Sequence, residues 1–218
     1  MLHIRLSRIA ADPTALDDCV AYIKSVARTV IEFRPGSLGI SVLADRAEGA
    51  ALFGSLWASS EAMSASEETE APLRAELAKR AGTPVAVEDY QVPISVIFDY
   101  AMLLLGGQAV RLTRILVKPS QVDDVIEVVG DEVVPSLSEA AGFRAVLLFA
   151  DPASGRMISE TIWRDPRARA AAPSVAATIR SEFPDEAGRD NPGLLGEGGA
   201  EIHGVTDYRL VFSSIRDL

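Results

Sequence analysis

Two strand-like segments carry the same pattern of cation and hydroxyl, Arg5-Leu6-Ser7-Arg8 and Arg111-Leu112-Thr113-Arg114. Alternate side chains of an extended chain share a face, so Arg5 stands beside Ser7 and Arg111 beside Thr113. A guanidinium next to a hydroxyl can hold an anion or stabilise a developing oxyanion, and a half-buried Arg requires a negative partner. Salt bridges of Arg5, Arg8, Arg111 and Arg114 to carboxylates such as Asp89 and Asp207 are the first expectation, and an acidic ligand is the second. Ser55, Trp57 and Tyr90 in the first half, and Thr161, Trp163 and Tyr208 in the second, can face the same space. Arg111, Thr113 and Tyr208 are the candidate catalytic groups. Arg5, Ser7, Trp57, Tyr90, Trp163 and Thr161 are the candidate ligand contacts.

Other chemistries find little support. The two histidines, His3 and His203, lie at opposite ends of the chain with no HxH or HxxxH spacing, so no metal site is expected. Cys19, the single cysteine, falls on an apolar helical stripe and reads as a small buried hydrophobe. The glycine-rich stretch Gly193-Leu194-Leu195-Gly196-Glu197-Gly198-Gly199 has no Lys, and its Glu would repel phosphate. No G-x-S-x-G elbow occurs. With 21 Lys+Arg against 31 Asp+Glu the net charge is −10, which argues against nucleic acid or an anionic membrane as partner. No apolar run is long enough to span a bilayer and no signal-peptide core opens the chain, so a cytoplasmic location is expected.

The elements that position these groups come from a duplication. At an offset of 106 residues, positions 5–77 align with 111–183 without a gap and share 18 identities in 73 pairs. Asp89-Tyr90 aligns with Asp207-Tyr208 at an offset of 118, so the second copy carries a 12-residue insertion (118 − 106) before its last strand. Each copy reads β-α-β-β-α-β. Strand 1 is Leu2–Ile9 or Val110–Val117, followed by a helix capped at Thr14 or Ser120 with Asp17 or Asp123 three residues on. Leu16, Cys19, Val20, Ile23, Ala27, Val30 and Ile31 fall on one face of that helix, and Pro135 is expected to break or kink its second copy. Gly36 and Gly142 suit left-handed helix ends. Asp45 and Asp151 suit turns between strands Gly39–Ala44 and Ala50–Trp57 and their counterparts. The second helix starts after Ser59-Ser60 or Asp165-Pro166, and the last strands are Pro84–Ile94 and Ala200–Phe212.

The expected organisation is repeat 1 over 1–97, a linker over 98–109, and repeat 2 over 110–218 with an inserted loop at about 184–199. That loop is long enough to serve as a lid. The fold class is α+β: two ferredoxin-like repeats whose strands, apolar on both faces, pack sheet to sheet as one barrel. One chain would thus imitate a dimer, either as a monomer or paired with a second copy through exposed edges.

Arg114-Ile115-Leu116-Val117-Lys118-Pro119, Pro135-Ser136-Leu137 with Gly142-Phe143, a Trp closing strand 3 and a Tyr in strand 4 together resemble the antibiotic biosynthesis monooxygenase family of the dimeric α+β barrel superfamily. The resemblance spans about 90 residues of each half. It implies a small-molecule pocket between helices and sheet in each half. It also implies, for an enzyme, a cofactor-independent oxygenase of aromatic, polyketide-like quinols, with no cofactor. Haem-degrading members carry an Asn on strand 1 and a Trp and His on helix 2; here Ser7 or Thr113 replaces the Asn, and helix 2 has neither Trp nor His. The expected partner is a small hydrophobic or aromatic molecule. The alternative is a non-catalytic binding or scaffold protein with degenerate pockets.

Overall fold

Burial on both faces of β1 (Leu2–Ala10) shows what the strands do: Arg5, Ser7 and Ile9 face helices, while Ile4 and Leu6 are buried on the other face. The computed structural model describes residues 1–98, 100–184 and 199–215. After β1 come α1 (Pro13–Tyr22), a π-helical stretch Ile23–Ala27, α2 (Arg28–Glu32), β2 (Ser37–Asp45), β3 (Ala50–Trp57), α3 (Ser60–Ala65), α4 (Glu67–Ala81) and β4 (Ala86–Ile97). A short α5 (Tyr100–Leu105) precedes β5 (Ala109–Leu116). The pattern then repeats through a 3-10 turn Pro119–Gln121, α6 (Val122–Val128), a π-helical stretch Val129–Val133, α7 (Val134–Ser138), β6 (Phe143–Asp151), β7 (Arg156–Trp163), α8 (Pro166–Ala170), α9 (Val175–Glu182) and β8 (Glu201–Ser213). Hydrogen-bonded neighbours run β1-β3-β2-β8-β5-β7-β6-β4 and close into a barrel. The fold is therefore α+β, with two ferredoxin-like repeats in a pseudo-dimeric barrel.

The chain forms two compact units whose limits differ from the linear boundaries expected above. One comprises Met1–Gln91, Asp99–Gln108 and Tyr208–Leu218; the other comprises Val92–Phe98 and Ala109–Asp207. The difference arises because β4 and β8, of 12 and 13 residues, each begin in one unit and end in the other. The segment expected as a linker carries α5 and joins the first unit, where Gly107 N donates to Leu210 O at 2.7 Å. In each unit the helices cover one sheet face. Leu16, Ile23, Ile31, Phe53 and Trp57 form the first helix-facing core, and Val125, Val133, Val146, Trp163 and Ile179 form the second.

Local expectations at the helix starts need correction. Asp12, not Thr14, caps α1, accepting from Thr14 N at 2.9 Å and Ala15 N at 3.1 Å. Pro13 occupies the first helical position and moves the cap two residues back, so no box with Asp17 forms. In the second repeat the 3-10 turn displaces Ser120 from the cap. Pro135 does not end its helix: it lies in the first turn of α7, directly after the π-helical stretch, where its missing N–H costs no hydrogen bond. Ser59 and Asp165 do cap α3 and α8, through Ala62 N and Ala168 N. Asp45 and Asp151 hold turn amides as expected.

One buried carboxyl stands out. Glu160 on β7 pairs in register with Leu112 and Leu147, both buried, and burial raises its pKa to about 7. The aligned residue in the first repeat is Gly54, where a Cβ would meet Ser41 Oγ at 3.0 Å, so that repeat has no room for an acid there. Because the folded pKa lies above the ordinary 4.5, the folded state holds the proton more tightly than the unfolded one. Glu160 then weakens the fold progressively as pH rises from about 4.5 to about 7, by about 3 kcal/mol in all. Glu160→Gln is expected to be more stable than the parent at pH 8 and nearly equal to it at pH 5, as read by urea denaturation at both pH values.

Candidate functional site

In the first unit the strand-facing side of α3 and α4 meets a continuous polar network. Arg5 donates to Asp89 through two parallel bonds, Nε to Oδ1 at 2.8 Å and Nη2 to Oδ2 at 2.9 Å, and its Nη1 lies 2.8 Å from Glu67 Oε2. Behind it, Trp57 Nε1 donates to Ser55 Oγ at 3.1 Å, and Ser55 Oγ donates to the Glu70 carboxylate at 3.1 Å. Ser66 Oγ lies 2.9 Å from the same carboxylate, and Arg74 contacts both Glu67 and Glu70. Glu70 is only 1% exposed. Burial pushes its carboxyl upward, while Ser66, Arg5 and Ser55 pull the other way. The helix places it there because Glu70, Leu73, Leu77 and Ala81 form one buried stripe of α4.

The second unit keeps the frame and changes the filling. Arg111 donates to Asp207 with Nε to Oδ1 at 2.8 Å and Nη2 to Oδ2 at 3.1 Å, and Arg169 Nη2 reaches the same carboxylate at 3.0 Å. The bond to Asp207 holds the Arg111 pKa above its ordinary value, so this group stays cationic and cannot serve as a base. Trp163 Nε1 donates to Thr161 Oγ1 at 3.0 Å, as Trp57 does to Ser55. The repeat offset aligns Glu70 with Ala176, Ser66 with Ala172 and Glu67 with Pro173. With those side chains shortened or lost, a cavity of about 40 Å³ opens against Arg111, Thr113, Thr161 and Trp163. Its remaining wall runs from Ala172 to Ala176 and includes Val205; Pro173, Ser174 and Val205 are exposed at its rim.

Four of the residues singled out in the sequence thus converge on one cavity: Arg111, Thr113, Thr161 and Trp163. Arg5, Ser7 and Trp57 occupy the corresponding first-unit positions, all buried. Tyr90 and Tyr208 follow Asp89 and Asp207 in their strands. Since the aspartates point at the arginines, alternation sends both tyrosines to the opposite face, away from this cavity. The first unit has a different depression, an open cleft of about 520 Å³ along the outer side of α3, lined by Arg34, Gly36, Ser59, Glu61, Ala62 and Ala65 among others. Residues 185–198, within the loop considered as a lid, lie outside the described residues. Sequence reading missed Glu70, Ser66, Glu67, Arg74 and Arg169. The i, i+3, i+7 spacing of Glu70, Leu73 and Leu77 was the available signal for the first of these.

This architecture, two β-α-β-β-α-β repeats closed into one barrel, is shared in fold with solved monooxygenase-like and ferredoxin-fold proteins. An anthrone oxidase-like protein superposes over 97% of this chain and 92% of its own with a TM-score of 0.65 and 14% identity. A ferredoxin-fold protein from Listeria monocytogenes, related to antibiotic biosynthesis monooxygenases, does so over 96% and 95% with a TM-score of 0.52 and 9% identity. No protein-family model matches the chain. The chain belongs to the family of the uncharacterized protein Rv2557 of Mycobacterium tuberculosis, with which it is 31% identical over 159 residues, 73% of this chain and 70% of that one. It is 28% identical to the uncharacterized protein Rv2558 of the same organism, over 99% of this chain and 86% of that one.

The two arginines differ in what their loss exposes. The Arg5 side chain is 6% exposed and its removal leaves Arg74 to balance Glu67, Glu70 and Asp89; Arg111 is 32% exposed and its removal leaves Arg169 to balance Asp207. Arg5→Met is expected to cost about 2–3 kcal/mol and Arg111→Met about 1 kcal/mol, read from urea midpoints at unchanged slope.

Proposed function

We propose that this protein binds a small hydrophobic or aromatic molecule in the second unit, with Arg111, Thr113, Thr161 and Trp163 as contacts. The observation that carries this reading is the contrast between repeats: the same frame is filled by Glu70 in one and encloses a cavity in the other. A volume of about 40 Å³ admits a polar end group, not a whole aromatic ring. The body of the ligand therefore lies over the rim at Pro173, Ser174 and Val205. The polar end meets Arg111, a fixed cation whose place suits an oxygen bearing negative charge.

Catalysis of the cofactor-independent kind would use that cation to stabilise a quinol oxyanion while the substrate itself reduces O₂. The likeness in fold to an anthrone oxidase-like protein supports testing it. A non-catalytic binding role is favoured by the cavity's composition, which offers hydroxyls, an indole and a guanidinium but no general base.

Titration with a panel of quinols and phenols, followed by tryptophan fluorescence, is expected to show binding that Arg111→Ala weakens by about tenfold or more. Unchanged binding in Arg111→Ala would sink the assignment. Oxygen uptake with the same panel separates the two roles: turnover marks an oxygenase, and its absence alongside binding marks a carrier or sensor.

A further inference from the structure

The first repeat shows what the second repeat's cavity is built to receive. Taking the proposed pocket as its basis, we infer that the ligand presents a carboxylate to the Thr161 hydroxyl within the field of Arg111, in the place where Glu70 puts its own carboxylate against Ser55 near Arg5 in the first repeat.

Three comparisons carry this. The first concerns donors. Ser55 accepts the Trp57 N–H and passes its own proton to Glu70 at 3.1 Å. Thr161 likewise accepts the Trp163 N–H, but its own proton finds only the Arg111 backbone carbonyl at 3.5 Å, the outer limit of a hydrogen bond. The donor chain of the first repeat ends on a carboxylate; that of the second ends on the cavity. The second comparison concerns charge. Around Arg5 and Arg74 stand three carboxylates, Asp89, Glu67 and Glu70, whereas among the described residues Arg111 and Arg169 share Asp207 alone. Duplication has turned an excess of one negative charge into an excess of one positive charge. Arg169 Nε is moreover buried with no hydrogen-bond partner among the described residues. The third concerns space. Replacing Glu by Ala at 176 removes a carboxylate and one methylene group, and the cavity of about 40 Å³ against Ala176 suits a carboxylate with little beside it.

Benzoate and benzamide test the assignment, since they match in shape and differ in charge. In calorimetric titrations of the full chain at pH 7 and low salt, benzoate is expected to bind about tenfold or more tightly than benzamide. Ala176→Glu, which supplies the carboxylate from within, should abolish benzoate binding while keeping or raising the melting temperature. If that variant fails to fold, Arg111→Met serves instead and should bring the benzoate-to-benzamide ratio close to one. Equal binding of the two probes, both lost in Ala176→Glu, would overturn the carboxylate assignment and leave the pocket standing. Binding of neither, or benzoate binding indifferent to both variants, would overturn the pocket and the carboxylate together.

Discussion

A guanidinium placed at the start of a buried strand keeps its charge at any pH the protein meets, so the fold around it must supply an anion. Both repeats solve this identically, with an aspartate on the last strand gripping the arginine through two bonds at 2.8–3.1 Å. The pair ties the first strand of each repeat to its last, and it sets the polarity of the space beneath the second helix. The two sites beneath the second helices differ in how they answer the charge left over once this pair has formed.

In the first repeat the answer is internal. Glu67 and Glu70 descend from α4, and serines from β3 and the α3–α4 junction complete a network that closes the space. In the second repeat a proline and an alanine stand where those acids would be, and a second arginine joins the first. Duplication makes such divergence affordable, because one copy can become structural while the other keeps an accessible interior. The same asymmetry appears on the opposite sheet face, where Glu160 stands in one copy and Gly54 in the other.

Much of this was legible in the amino-acid pattern. The 106-residue repeat, the order of elements and the pairing of Arg5 and Arg111 with Asp89 and Asp207 all follow from periodicity and from the need to neutralise half-buried cations. The tyrosines were misplaced because Asp89 and Tyr90 are adjacent and cannot share a strand face. The cap of α1 lies two residues before Thr14 because Pro13 takes the first helical position. Glu70 escaped notice because charged helical residues usually face water, and only its spacing with Leu73 and Leu77 marks it as inward. The strand exchange of β4 and β8 leaves no trace in hydrophobic pattern at all.

That exchange governs how the molecule can come into being. The N-terminal unit is completed by the last strand's closing residues, with Leu43 beside Leu210 and Ser41 beside Ser213, and Gly39 at φ +119 admits the returning backbone of Ser214 where any Cβ would collide. A ribosome emits these residues only after the rest of the second repeat. The portion made first therefore waits, its sheet edge unpaired, through the whole synthesis of its sibling. Vectorial, domain-by-domain maturation is closed to this chain, and loss of the end of β8 would wound the half that was translated earliest.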